Sequence, residues 1–124
     1  MNTISPVFKA LADRNRLRVF AALCDHDELC ACQLIELLQV SGATASRHMA
    51  LLVSAGLVIS RKEGRWVYYR LNPESRLVPV MRDLIDAEKT TDAGIAADRK
   101  ALGEILACEP EELCRRQRGA ACCP

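Results

Sequence analysis

The sequence lacks most features that mark secreted, membrane-bound or nucleotide-using proteins. Its 124 residues include only 4% aromatic side chains, and no apolar run approaches the roughly 18 residues that a membrane-spanning helix needs. The N-terminus lacks the basic and then apolar layout of a signal peptide. No glycine-rich phosphate loop and no Cys-x-x-Cys motif occur, and histidine appears only twice. We therefore expect a soluble, cytoplasmic protein with no membrane partner.

Cysteine, in contrast, is abundant. The chain has seven cysteines, an odd number, and we expect it to lie in a reducing compartment. Both points favour thiolate chemistry over a disulfide scaffold. The seven are Cys24, Cys30, Cys32, Cys108, Cys114, Cys122 and Cys123.

The positive charge of the chain is concentrated in one stretch. The net charge is only +1, but residues 47–70 contain five Lys or Arg and one acidic residue. Such a local excess is what contact with DNA phosphates requires. The alternative is a basic hairpin that is simply solvated.

Apolar spacing predicts a mainly helical chain with a helix-turn-helix. Two short helices over residues 6–23 are separated by Asp13, and a third runs from near Cys30 to about Gln39. Ser41 caps a fourth helix, which Gly56 ends in a left-handed conformation. We expect its inward face to be Ala45, Met49 and Leu52, with Leu51 beside Leu52.

The second half of the chain begins with a β-hairpin. Two β-prone runs flank Glu63 and Gly64 and form a wing beside the fourth helix. One long helix or two in series follow Asn72 and extend away from the DNA-reading unit, so that only a partner buries their apolar stripe. Arg115, Arg116 and Arg118 begin a mobile tail. We divide the chain into a winged helix-turn-helix and dimerisation domain (1–90) and a C-terminal helical extension with a Cys-rich tail (91–124).

The N-terminal turns of the fourth helix are expected to enter the major groove. His48 has an alternative structural role, as a partner of a phosphate or of a neighbouring side chain. Trp66, Tyr68 and Tyr69 are expected to pack in the core or at an interface rather than stack on single-stranded nucleic acid. The candidate DNA-binding residues are Ala43, Thr44, Ser46, Arg47 and His48 on the helix and Arg61, Lys62 and Arg65 on the wing.

Five segments in order resemble the ArsR/SmtB family of metal-responsive winged-helix repressors, over roughly residues 5–90. The segments are residues 11–18 (LADRNRLR), 28–34 (ELCACQL), 46–52 (SRHMALL), 55–58 (AGLV) and 61–71 (RKEGRWVYYRL). The resemblance implies a homodimer joined through its first and penultimate helices. It also implies binding to an imperfect palindrome in double-stranded operator DNA, and release when metal binds.

Cys30 and Cys32 are the candidate metal ligands. Thiolates select soft ions, a class that includes arsenite and antimonite. Residues two apart on a regular helix diverge by about 200°, so we expect the start of the helix to distort when both sulfurs bind one ion. That distortion would lower DNA affinity. The alternative is that both cysteines only fill a seam between helices.

The resemblance points to the arsenic-sensing branch, whose members carry Cys-x-Cys at this place. Many of them have a third cysteine three residues further on, where this chain has Ile35. Either another thiol completes the site or the inducer is a methylated trivalent arsenical. The candidate third ligands are Cys24, Cys108, Cys114 and the adjacent Cys122 and Cys123, from the same or the partner chain.

The leading function is a repressor released by As(III) or Sb(III), with no permanent cofactor and no enzymatic activity. The first alternative is a thiol redox-sensing repressor. The second, from a different class, is a cysteine-based metal carrier or thiol enzyme, against which stands the absence of a histidine beside the pair. Glu28 and Glu36 are expected to lie on a solvated face.

Overall fold

The structure, a computed structural model, describes residues 3–117. The predictions for Arg118, Cys122 and Cys123 lie outside the described residues. Within residues 3–117, no helix combines the length and the apolar character needed to cross a bilayer.

Seven helices and three short strands make up the described part of the chain, which confirms the mainly helical class with a hairpin wing. The strands form one antiparallel sheet in the order β1-β3-β2. The elements are α1 (Ile4–Leu11), α2 (Arg14–Asp25), β1 (Leu29–Cys30), α3 (Ala31–Leu38), α4 (Gly42–Ser54), β2 (Val58–Glu63), β3 (Trp66–Leu71), α5 (Leu77–Glu88), α6 (Ala93–Leu106) and α7 (Pro110–Gln117).

The predicted caps separate the helices. The Asp13 carboxylate accepts the backbone N–H groups of Asn15 and Arg16 at 2.8 and 3.1 Å, so α1 and α2 are distinct. The Ser41 hydroxyl accepts the N–H of Thr44 at 3.1 Å and begins α4. Gly56 has a φ of +79°, a conformation that favours glycine, and it turns the chain from α4 into the wing.

The core lies between α2, α3, α4 and the sheet. Its largest fully buried side chains include Phe20, Leu23, Leu34, Leu52 and Leu57. Strand β1 was not predicted, because two residues are too few to show alternation. Its pairing with β3 ties the chain just before α3 to the wing.

The C-terminal helices fold back onto the same chain. Leu102, Ile105 and Leu113 are buried as α6 and α7 pack against α2 and α3, and Arg18 of α2 pairs with Asp98 of α6 at 2.9 Å. The expectation that the helices after Asn72 extend away and need a partner is therefore wrong for α6. The mobile tail is also wrong as far as Gln117, since Arg115 and Arg116 lie in α7. A domain boundary near residue 90 stays a prediction.

Candidate thiol site and nucleic-acid interface

Cys30 and Cys32 lie where strand β1 passes into helix α3. Cys30 ends β1 and is the N-cap of α3, with an extended backbone (φ −76°, ψ 150°), and Cys32 is the second residue of the helix. Their Sγ atoms are 3.0 Å apart. The expectation that the two side chains diverge by about 200° on a regular helix is wrong, because Cys30 precedes the helix. The sulfurs meet without any unwinding of α3.

Both the sheet and the helix position this pair. The Cys30 N–H donates to the side-chain oxygen of Gln33 at 2.8 Å, and Cys30 pairs with Tyr68 across β1 and β3. Cys30 is 1% and Cys32 0% exposed.

Helix α7 covers the thiol pair. The Cys32 thiol donates to the carbonyl oxygen of Pro110 at 3.7 Å, and the side-chain amide of Gln117 donates to the Cys32 carbonyl at 2.9 Å. Leu113 and Cys114, between these two contacts, are buried. Sequence reasoning missed this helix because α7 is short and its burial depends on α3, far away along the chain.

The other half-buried cysteines face different neighbours. Cys24 lies at the end of α2 near Arg82 and Asp86 of α5, and burial raises the pKa of its thiol despite a hydrogen bond with Arg82. The Cys108 thiol donates to the carbonyl of Glu104 at 3.8 Å. Among residues 3–117, no three His, Cys, Asp or Glu side chains are grouped to hold a metal ion. The third-ligand predictions are therefore not met by a preformed set in this region.

Helix α4 presents a small polar surface at its N-terminal end. Ala43, Ser46 and Arg47 are exposed, and the hydroxyl of the half-buried Thr44 accepts from Ser41 Oγ at 2.9 Å. The predicted inward face is confirmed for Ala45, Met49 and Leu52, which are at most 4% exposed, but it is wrong for Leu51, which is 44% exposed.

His48 takes the structural position that was left open for it. It is 7% exposed, and its Nδ1 lies 3.1 Å from Arg16 Nη1 and 4.0 Å from Asp13 Oδ1. The ring thus joins α4 to the junction of α1 and α2. A base contact by His48 would require the ring to leave this position.

The wing exposes part of its predicted basic surface. Lys62 and Arg65 are exposed beside Gly64, whose φ is +62° in the hairpin turn. The Arg65 guanidinium lies 5.4 Å from the centre of the Trp66 ring. Trp66, Tyr68 and Tyr69 are half-buried against the core, as expected.

Arg61 differs from the other wing cations, because its charge is already paired within the chain. Its Nε and Nη2 each donate to the Glu28 carboxylate at 2.7 Å, and its Nη1 donates to Glu63 at 2.7 Å. Hydrogen bonding from Arg61 lowers the pKa of Glu28. The expectation that Glu28 is simply solvated is wrong: its side chain is 24% exposed and bound. Only the pairing of β1 with β3 could have revealed this contact.

Known proteins with a similar sequence or structure indicate the family of this chain. The chain is 47% identical over 68 residues to the arsenic resistance transcriptional regulator ArsR1 of Pseudomonas putida, covering 55% of this chain and 53% of that protein. It is 43% identical over 67 residues to the cadmium resistance transcriptional regulatory protein CadC of Listeria innocua, covering 54% and 56%. The solved structure of reduced HlyU from Vibrio cholerae has a TM-score of 0.62 and 34% identity, and covers 69% of this chain and 87% of that one.

Residues 13–60 match the family model described as bacterial regulatory protein, arsR family. The chain belongs to the arsR family. The matched residues run from the cap of α2 into β2 and include the thiol pair and all of α4. The resemblance seen in the sequence is confirmed, and arsR-family proteins are regulators rather than enzymes. The chain spans a little over half the length of the two curated relatives described above.

Proposed function

We propose that this arsR-family chain is a transcriptional repressor that binds operator DNA as a homodimer and is released when trivalent arsenic or antimony binds Cys30 and Cys32. The observation that carries the proposal is the 3.0 Å separation of the two buried sulfurs, at the start of the helix that precedes α4. An ion bound by these two sulfurs would contact α3, the helix that packs against the proposed DNA-reading helix α4.

The donor set favours a soft ion. Two sulfurs 3.0 Å apart, each about 2.3 Å from an ion as in a zinc–thiolate bond, would subtend roughly 80° at that ion. A small widening of the pair therefore suffices for binding. His48 contacts Arg16, and among residues 3–117 no three His, Cys, Asp or Glu side chains are grouped as a zinc site would need. Thiolates without nitrogen or oxygen donors prefer thiophilic ions.

The number of sulfurs bears on the form of the inducer. Two thiolates match a monomethylated trivalent arsenical, which has two exchangeable positions, whereas inorganic arsenite has three. Residues 3–117 hold no grouped set of three ligands. This favours the methylated species over inorganic arsenite, with a third ligand beyond this set as the alternative.

Binding at the pair would act on DNA through α3. This helix packs against α4, so a shift at its first turn displaces the recognition helix relative to the wing. Because the ion stabilises the shifted state, it lowers DNA affinity, and DNA lowers ion affinity by the same factor. A coupling of this kind amounts to about 5- to 150-fold.

The proposed DNA surface combines the exposed N-terminal part of α4 with the tip of the wing. Ser46 and Arg47 would contact bases or phosphates in the major groove, and Lys62 and Arg65 the flanking backbone. A protein that binds operator DNA in this way would lie in the cytoplasm.

The proposed homodimer would cover exposed apolar side chains of α1 and of α5. Phe8 of α1 is 60% exposed, and Val80 and Leu84 of α5 are 57% and 58% exposed. Burial of large apolar side chains of this kind would stabilise a dimer. Two-fold symmetry would then place two α4 helices on the half-sites of a palindrome.

The test is a fluorescence-anisotropy titration on a promoter fragment of an arsenical resistance operon. We compare the unaltered chain, a Cys30→Ser/Cys32→Ser variant and a Cys108→Ser control, each without inducer, with arsenite and with monomethylarsonous acid. We expect release in the unaltered chain and the control, and none in the double variant. Normal release of the double variant would overturn the proposed switch.

A redox-sensing repressor is the second candidate. It is favoured by the direct contact of the two sulfurs and by the likeness to a structure described as reduced HlyU. Peroxide would take two electrons and two protons from the thiols, leaving a disulfide and two water molecules. Release by peroxide in the absence of any arsenical would support this candidate, and release by arsenicals alone would exclude it.

A further inference from the structure

A paired ion bridge links the wing to the segment that enters the thiol site. Arg61 of β2 donates to both oxygens of Glu28 at 2.7 Å, a bidentate geometry. Glu28 is two residues before Cys30, and 33 positions in sequence separate it from Arg61. The bridge is thus a long-range contact between the two parts of the proposed switch.

Backbone pairing reinforces this bridge. Cys30 pairs with Tyr68 across β1 and β3, and Tyr68 pairs with Arg61 across β3 and β2. The Arg61 guanidinium also lies over the Tyr68 ring, 4.4 Å from its centre. Backbone pairing and side-chain contacts therefore join Cys30, Tyr68, Arg61 and Glu28 in one continuous series.

We propose that Glu28 and Arg61 are positioning residues, which hold the wing in its DNA-binding pose and pass the state of the thiol pair to it. The inference rests on the proposed function, because it assigns a second output to the same site. Under this proposal, Arg61 acts through Glu28 rather than by neutralising a DNA phosphate. Its donors already face two carboxylates, Glu28 and Glu63.

The physical step is a change at Cys30. An ion that binds both sulfurs fixes their separation and direction, and Cys30 can adjust only by moving the end of β1. Glu28 moves with that strand, and its bidentate geometry with Arg61 is lost. The wing then no longer keeps Lys62 and Arg65 against the DNA backbone.

Glu28→Gln separates this role from a phosphate contact. If Arg61 were a DNA contact masked by Glu28, the variant would bind DNA more tightly. If the Glu28–Arg61 pair positions the wing, the variant binds DNA more weakly than the unaltered chain without inducer, and with the same affinity as the unaltered chain when inducer is present. We expect the ratio of DNA affinity without inducer to DNA affinity with inducer to fall about two- to fivefold, the range that an exposed ion pair supports.

The matched control is Asp25→Asn. Asp25 makes a bidentate pair with Arg99 at 2.7 and 2.8 Å, which joins α2 to α6 rather than to the wing. The variant removes the same charge, so it corrects for the general effect of a lost carboxylate on DNA affinity. Arg61→Lys is the second variant, because it keeps the charge but loses the bidentate contact. It should show the same loss of coupling as Glu28→Gln.

Trp66, the single tryptophan of the chain, reports on the wing independently of DNA. With arsenite and monomethylarsonous acid as the two probes, its emission should change in the unaltered chain and in Asp25→Asn, and change much less in Glu28→Gln. If the unaltered chain binds neither probe and releases DNA with neither, the proposed function fails. If it does both, and the two bridge variants keep its affinity ratio and its Trp66 response, this inference is overturned while the proposed function stands.

Discussion

Truncation of Leu113 tests whether α7 controls access to the thiol pair. Leu113 is completely buried, and Cys114 is the only other buried residue of α7. A buried Leu→Ala change costs about 2–5 kcal/mol. In Leu113→Ala, this lost free energy mainly weakens the docking of α7 onto α3, because the short helix α7 is held there chiefly by the Leu113 side chain. At the lower limit of that range, the undocked fraction of α7 rises about 30-fold.

This increase has a kinetic consequence for inducer binding. Cys30 and Cys32 are at most 1% exposed, and α7 contacts Cys32 through Pro110 and Gln117. An arsenical must therefore enter when α7 is undocked. Where opening and closing are fast, its association rate follows the open fraction and should increase by about the same 30-fold factor.

The assay is stopped-flow mixing of the protein with arsenite, followed by near-ultraviolet absorption of the arsenic–thiolate bonds. Urea unfolding of the same samples measures the stability loss. Leu106→Ala is the matched control, since Leu106 of the neighbouring α6 is 37% exposed. A destabilised Leu113→Ala variant that binds arsenite at the rate of the unaltered chain would refute the covering role of α7.

Three further predictions concern the DNA surface, the bridge and the dimer. Arg47→Ala and Arg65→Ala should each weaken DNA binding and reduce the salt slope by about 1, measured by anisotropy from low to moderate salt; Lys100→Ala on α6 is the control, and unchanged slopes would contradict the assignment. Because Arg61 lowers the pKa of Glu28, the bridge should stabilise the fold above pH 4.5, the ordinary pKa, and lose its effect as the pH falls through the lower folded-state pKa. Urea unfolding of the unaltered chain and Glu28→Gln should therefore differ at pH 7 and converge at low pH; a constant difference would contradict this. Leu84→Asp should give monomers in sedimentation velocity, whereas Leu106→Asp should not, and dimers in both would remove α5 from the interface.

Local signals in the sequence were sufficient for the winged helix-turn-helix. Asp13 and Ser41 cap helices through their own side chains, and Gly56 and Gly64 adopt positive φ angles. Each of these effects acts within about four residues, so apolar spacing and residue type predict it. The thiol pair could also be recognised locally, because Cys30 and Cys32 are only two residues apart.

The missed features depend on contacts between distant segments. Strand β1 exists because β3 pairs with it, and that pairing holds the chain extended at Cys30, so the two sulfurs converge instead of diverging. Glu28 finds Arg61 through the same pairing. Helix α6 carries an apolar stripe that is evident in the sequence, but the sequence does not indicate whether a partner or the chain's own α3 covers it. The register of β1 against β3 and the docking of the C-terminal helices onto α3 could therefore be learned only from the structure.

Under the proposed function, the position of Cys30 would explain how a two-cysteine site acts on DNA binding. The residue belongs to the wing sheet through Tyr68 and to the helix-turn-helix as the N-cap of α3. A ligand bound there would pull on both of the proposed DNA-contacting elements at their common point. A thiol pair placed in the middle of α3 would move one rigid helix and leave the sheet unaffected. The proposed mechanism therefore needs this junction to couple inducer and operator.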